Sequence, residues 1–169
     1  NLTVQNCTFN GVFISGAEGV DVLNCDLNEN GSSVVPGPSL QHNLLLTHCS
    51  RIRVLDSRLD TSPHGSGIAL NQCKDGEITR CEIARNAYYG ILIAESRNIT
   101  ARENFIEGND RSGIMVEFQY RGSENIQASN NRIQFNNGHG VETYAVREAG
   151  VSGNIYTMNS EADEKINAE

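Results

Sequence analysis

The sequence predicts an all-β chain wound as a parallel β-helix, with about six to seven coils and three short strands in each. Three observations carry that prediction. A motif of Gly followed by apolar, any, apolar recurs along the chain. Two further strand-like runs recur with it in a fixed order. All five cysteines fall into two columns when the repeats are aligned.

The Gly motif stands at Gly11-Val12-Phe13-Ile14, Gly67-Ile68-Ala69-Leu70, Gly90-Ile91-Leu92-Ile93, Gly113-Ile114-Met115-Val116 and Gly140-Val141-Glu142-Thr143, with Asn43-Leu44-Leu45-Leu46 as a variant lacking the Gly. Its first apolar positions are 12, 44, 68, 91, 114 and 141, giving intervals of 32, 24, 23, 23 and 27. The long first interval holds Ser32 to Gln41, a Pro/Gly/Ser stretch that reads as a loop insertion. The second run comprises Leu2-x-Val4, Val20-x-Val22, Ile52-x-Val54, Gly76-x-Ile78, Ile99-x-Ala101, Ile126-x-Ala128 and Ala149-x-Val151. The third centres on Phe9, Leu27, Leu59, Ile83, Ile106, Ile133 and Tyr156. None is long enough for a helix, and Gly, Asn and Asp punctuate them all. One coil cannot bury its own apolar face, but a stack of coils ~4.8 Å apart can.

The cysteines fit the same alignment. One column reads Cys7, Cys25, Ser57, Cys81, Asn104, Asn131, Asn154, and another reads Ala17, Cys49, Cys73, Ser96. Inward-turned Asn can satisfy backbone groups that a coil would otherwise bury unpaired, and Cys fills the same small space as a soft apolar residue. Interior thiols are therefore expected over disulfides, since five is an odd number, and over zinc, since no C-x₂-C pair exists.

The chain has 169 residues, no Trp and a net charge of −8. No apolar run approaches the ~20 residues of a membrane span, and an acidic surface is unsuited to a duplex nucleic-acid partner. The expected organisation is a β-helix over residues 1–158 and an acidic tail or small cap over 159–169 without strand pattern. The chain opens in mid-repeat and shows no basic-then-apolar leader, so a fragment of a longer protein is expected.

The stacked Gly-Ile-x-Ile pattern and Asn98-Ile99-Thr100 running to Asn104 resemble the right-handed parallel β-helix proteins of the pectate-lyase-like superfamily, over about residues 1 to 158. That superfamily holds mostly polysaccharide lyases, glycoside hydrolases, uronate epimerases and phage tailspikes. The resemblance implies an extracellular or periplasmic, carbohydrate-active protein that holds a polysaccharide along the outward face of the Gly-motif strand. The alternative is a non-catalytic structural or glycan-binding shaft of the tailspike or adhesin kind. Asp60-Thr61-Ser62-Pro63-His64-Gly65 is similar to the D-P-H stretch of mannuronan epimerases, with Ser62 in place of the Asp before Pro63.

Residues on the Gly-motif strand alternate inward and outward. The outward set includes an apolar stripe of Phe13, Leu45, Leu92 and Met115, which a homotrimer contact, a missing segment of the parent chain or a sugar would explain equally. Turns entering this strand carry His42, His64, Tyr88, Tyr89, Asp110, Arg111 and His139. Tyr120, Arg121, Tyr144 and Arg147 follow near the C-terminal end. Aromatic and charged side chains in one groove suit a glycan, so His42, Tyr89, Arg111, Tyr120, Arg121, His139 and Tyr144 are candidate substrate-binding residues. Glu117 and Glu142 are the candidate carboxylate pair. One interstrand step and two residues place their Cα atoms about 8 Å apart, inside the ~6.5–9.5 Å carboxyl range of an inverting hydrolase. Two solvated glutamates are the plainer explanation. His64 is the third catalytic candidate, as a proton carrier, against a loop His capping its turn. His48 reads as a turn residue. No third ligand joins His42 and His64, so no metal is expected. No motif asks for a cofactor, which leaves room only for a bound cation such as calcium.

Overall fold

A computed structural model of the chain describes residues 1–33 and 41–168; most of the loop insertion expected at Ser32 to Gln41 lies outside them. Three corners close most coils, and most corners are built alike. A residue in the left-handed conformation is followed by a small or amide residue turned inward. At the first corner Gly16, His48, Gln72 and Glu95 precede Ala17, Cys49, Cys73 and Ser96. At the second, Asn24, Asp56, Arg80, Glu103, Asn130 and Gly153 precede Cys25, Ser57, Cys81, Asn104, Asn131 and Asn154. At the third, Asn6, Glu29, Thr61, Arg85, Gly108, Phe135 and Met158 precede Cys7, Asn30, Ser62, Asn86, Asn109, Asn136 and Asn159. His48 is thus the turn residue expected of it. A left-handed non-Gly residue costs roughly 1–2 kcal/mol. The hydrogen bonds of the inward residue beside it offset that cost.

Between corners run three faces of short strands, paired in parallel to their equivalents one coil away. The first face carries β2 (Val12–Ser15), β5 (Leu44–Thr47), β8 (Ile68–Asn71), β11 (Ile91–Ala94) and β14 (Ile114–Glu117). The second carries β3 (Glu18–Leu23), β6 (Ser50–Leu55), β9 (Lys74–Thr79), β12 (Arg97–Arg102) and β15 (Ser123–Ser129). The third carries β1 (Thr3–Gln5), β4 (Asp26–Asn28), β7 (Arg58–Asp60), β10 (Glu82–Ala84), β13 (Phe105–Glu107), β16 (Arg132–Gln134) and β18 (Ile155–Thr157). In the last coil β17 (Val141–Ser152) runs from the first face onto the second without a break. The all-β, parallel, three-strand coil expected from the sequence is therefore the fold. Its core is a file of aliphatic side chains, with Leu27, Leu59, Ile83, Ile106 and Ile133 stacked at 0% exposure behind the third face.

Two expectations change at the ends. Val4 pairs with Leu27, so Leu2 to Val4 belongs to the third face and not the second. Cys7 consequently stands in the third corner column, where its backbone NH donates to Asn30 Oδ1 at 3.1 Å, and not in file with Cys25 and Cys81. The misreading came from two faces having the same alternation, which leaves a strand without a preceding coil unassigned. The tail, where no strand pattern is visible, adds β19 (Glu164–Ala168) in parallel beside β17.

The columns otherwise stack as read. Cys25 NH donates to Ser57 Oγ at 3.1 Å, Cys81 NH to Asn104 Oδ1 at 2.9 Å, Asn104 NH to Asn131 Oδ1 at 3.0 Å and Asn131 NH to Asn154 Oδ1 at 2.9 Å. All five thiols are free. Burial pushes those of Cys73 and Cys81 up to about 11, so neither is a nucleophile at neutral pH. Cys81 donates only to carbonyls, those of Val54 and Thr79, each at 3.5 Å. An Asn there would extend the ladder by one rung, since Asn104 Nδ2 already bonds the equivalent Ile78 carbonyl at 2.9 Å. Cys81→Asn should leave stability unchanged or raise it, by about 0.5–1.5 kcal/mol of added hydrogen bonding. A fall of several degrees in a thermal melt would contradict the column.

The outward stripe of the first face is in register but is not open along its length. Leu45 (7%) and Met115 (6%) are buried, Leu92 is half-buried, and Phe13 alone is exposed, at 58%.

Candidate functional site

The register that stacks the coils also sets Met115, Glu142 and Lys165 side by side on adjacent strands of the first face. Because side chains point outward on alternate residues, Tyr144 shares the face with Glu142. The turn column entering this face places Tyr89, Ser112, His139 and Ala162 in file, each carbonyl accepting from the NH of a Gly one coil earlier. These rows border an open groove of about 860 Å³ over the C-terminal coils.

Glu142 lies at its centre, only 8% exposed. Ser112 Oγ and the Tyr144 hydroxyl each donate to its carboxylate at 2.7 Å, and Lys165 Nζ donates at 3.0 Å. His139 Nε2 is 3.7 Å from Glu142 Oε1 and 3.1 Å from Glu161 Oε2. Its Nδ1 faces the Ala162 carbonyl at 3.2 Å, an acceptor, so that nitrogen carries the hydrogen. Burial pushes the Glu142 carboxyl upward, but the bonds from Tyr144, Ser112 and Lys165 and the nearby His139 outweigh it and hold the carboxyl below its ordinary range. Lys165 Nζ also donates to the Tyr144 oxygen at 2.6 Å, and these two partners raise its pKa. A carboxylate held ionised is suited to accepting a proton or fixing its neighbours. It is poorly suited to be the acid of an inverting pair.

Of the sequence candidates, Tyr89, Arg111, Glu117, His139, Glu142 and Tyr144 border this groove together. Arg111 lies over the Tyr88 ring at 4.6 Å and the Tyr89 ring at 5.7 Å, and its Nη1 donates to the Tyr89 hydroxyl at 3.5 Å, which holds the guanidinium at the groove and leaves its other N–H groups to an anion. Tyr120 and Arg121 belong elsewhere, at the corner between the first and second faces. His42 is buried, and its Nδ1 accepts from Ser66 NH at 2.9 Å, which makes it a turn support and not a groove residue. His64 is exposed on its turn, outside the lining of this groove. Asp60 is buried on the third face between Arg58 and Arg85, and Ser62 is fully buried in the third corner column. Among the described residues no three His, Cys, Asp or Glu side chains converge as a metal site requires.

The model of the right handed beta helix region matches residues 10–164. The chain belongs to that family. Among solved structures, this β-helix is similar to the periplasmic alginate epimerase AlgG, with a TM-score of 0.72 and 16% identity over 92% of this chain and 42% of that one. A single-substitution mutant of the same enzyme matches with a TM-score of 0.70 and 17% identity over 100% of this chain and 42% of that one. At such identity the likeness establishes the fold, and the chain spans less than half the length of those structures. No curated protein matches in sequence.

Three members of the β-helix groove escaped the sequence reading: Ser112, Glu161 and Lys165. The period could have found them. Lys165 stands 23 residues after Glu142, and Asn159 stands 23 after Asn136, the ordinary coil interval. Charged residues hid that last repeat because it lacks the Gly and most of the apolar positions.

Proposed function

We propose that this β-helix is the body of a carbohydrate-active protein that takes an acidic polysaccharide along its first face and moves a proton at a uronate residue. The observation that carries the reading is the Tyr144 hydroxyl, fixed between the Glu142 carboxylate at 2.7 Å and the Lys165 ammonium at 2.6 Å. A phenol so placed can hand its proton to Glu142 while its oxygen takes one from the sugar carbon beside a carboxylate. Lys165 stabilises the charge on that oxygen, and Arg111 can meet the uronate carboxylate and make the carbon–hydrogen bond easier to break. Water returning a proton to the opposite face of the carbanion inverts that carbon. Breaking the neighbouring carbon–oxygen bond instead forms a carbon–carbon double bond, and the departing glycosidic oxygen takes its proton from water. The periplasmic alginate epimerase whose fold this chain resembles acts on a polyuronate, which supports the substrate class and a periplasmic or extracellular location.

Inverting hydrolysis by Glu117 and Glu142 is the second reading, since both carboxylates border one groove. A screen of the full-length protein on polyuronates and neutral glucans separates them. Carbon inversion seen by NMR, or absorbance from unsaturated uronate, is the expected result. New reducing ends without unsaturation would replace it with hydrolysis. No change in any glycan would leave a non-catalytic shaft. Tyr144→Phe should lower turnover by roughly 10²-fold or more while leaving the fold intact. Unaltered turnover in that variant would remove the relay.

A further inference from the structure

We infer that the corner between the first and second faces, at Lys74, Arg97, Tyr120 and Arg121, is a second binding site, separate from the groove, for the anionic groups of an acidic glycan chain. The inference rests on the glycan reading only for the class of ligand. The site itself follows from how this chain spends its cations. It holds 13 Lys and Arg against 21 Asp and Glu. Arg51, Arg53, Arg58, Arg80, Arg85, Arg102, Arg147 and Lys165 each pair with a carboxylate. Arg111 lies over two tyrosine rings, and Arg132 bonds Gln134 and covers Phe105. Among the described residues the remaining three, Lys74, Arg97 and Arg121, meet no acid, and all three border one cavity of about 700 Å³.

Chance placement explains this poorly. Lys74 and Arg97 are register partners on adjacent strands, so two like charges stand one interstrand step apart, an arrangement that destabilises a sheet. An acid was within reach, because Glu124 is the next partner in the same row, yet Glu124 is bonded to Arg147 at 2.5 Å. The other acid of the cavity, Glu95, is occupied too. It accepts from the Tyr120 NH at 2.7 Å, the Arg121 NH at 3.3 Å and Gln72 Nε2 at 3.0 Å. Those bonds fix the short loop that carries Tyr120 and Arg121, and Tyr120 stands 85% exposed at its tip. An exposed aromatic ring beside a row of cations ~4.8 Å apart matches a chain whose anionic groups recur about once per sugar ring and whose ring faces stack on aromatics. A single-stranded nucleic acid could use the same elements, but among the described residues Tyr120 is the one Phe, Tyr or Trp ring lining this cavity, and single-strand binders stack successive bases on several.

The test is binding of a labelled oligouronate to the full-length protein at low and high salt, with a neutral glucan and single-stranded DNA as competitors. Lys74→Gln with Arg97→Gln should weaken binding roughly tenfold or more, reduce its salt dependence, and leave the melting temperature equal or higher because a repulsion is gone. Tyr120→Ala should weaken binding further. Binding unchanged in the Lys74→Gln/Arg97→Gln protein overturns the site, as does DNA competing better than the oligouronate. Turnover with binding unchanged in that protein overturns the corner and leaves the groove standing. Binding that depends on Lys74 and Arg97 without any turnover supports the corner and removes the chemistry proposed for the groove.

Discussion

Replacing Ser62 with Asn should destabilise the protein by about 2–4 kcal/mol, and adding Asn43→Gly to that variant should restore most of the loss. The third corner column carries Asn at 30, 86, 109, 136 and 159 but Ser at 62. Nineteen residues before each of Asn30, Asn86 and Asn109 stands a Gly; nineteen before Ser62 stands Asn43. The reason is spatial. A Cβ on Gly11 would lie 2.5 Å from Asn30 Nδ2, and one on Gly67 2.9 Å from Asn86 Nδ2. Where the ladder residue shrinks to Ser, the room admits a side chain on the Gly side, and Asn43 fills it. Its Oδ1 accepts from Asn30 Nδ2 at 3.0 Å, and its Nδ2 donates to the Asp60 carbonyl at 2.9 Å and Asn86 Oδ1 at 3.1 Å. One carboxamide per coil keeps the ladder continuous, supplied here from the opposite side. Ser62→Asn puts two carboxamides in the space of one. Asn43→Gly alone leaves none and orphans buried partners at about 1–3 kcal/mol. The double variant reproduces the Gly11/Asn30 arrangement. Denaturant unfolding of the four proteins measures the coupling, and a double variant no more stable than the worse single would refute it.

That exchange shows what the sequence disclosed and where it stopped. The period, the three faces and two of the three corner columns were legible because each rests on residues that alternate or recur locally. The Asn43 and Ser62 compensation was present in the letters, but its meaning needs two side chains from different faces to meet in the interior, which periodicity does not encode. The groove divided in the same way. Glu142, Tyr144, His139 and Arg111 could be placed on one side of the coil from register alone. What the register could not give was connection. Tyr120 and Arg121 follow Glu117 closely in the chain, yet Glu95 draws their loop to the other corner. The apolar stripe at Leu45 and Met115 read as exposed because alternation gives direction and not depth.

Glu142→Gln should lower stability at neutral pH by about 1–3 kcal/mol, and the difference from the parent should close in acid. Ser112, Tyr144 and Lys165 all donate to this buried carboxylate, and an amide in its place turns a donor toward one of them. The pH dependence follows from the direction of the shift. The folded-state pKa lies below that of the unfolded chain, near 4.3 for a free Glu, so the folded state favours the ionised form. The contribution is fully present above the unfolded value and fades as pH falls through the lowered folded one. Below that, parent and variant both carry a neutral group at 142, and their curves should converge. Thermal melts from pH 7 down to the acid limit of the fold measure this. Curves that remain parallel across the acid range would mean that Glu142 is not the held carboxylate on which the proton relay through Tyr144 depends. Among the described residues an ionised Glu142 is the only acceptor bonded to the Tyr144 hydroxyl. Protonating it should therefore slow turnover over the same acid window in which the stability difference closes, which ties the fold measurement to the chemistry of the groove.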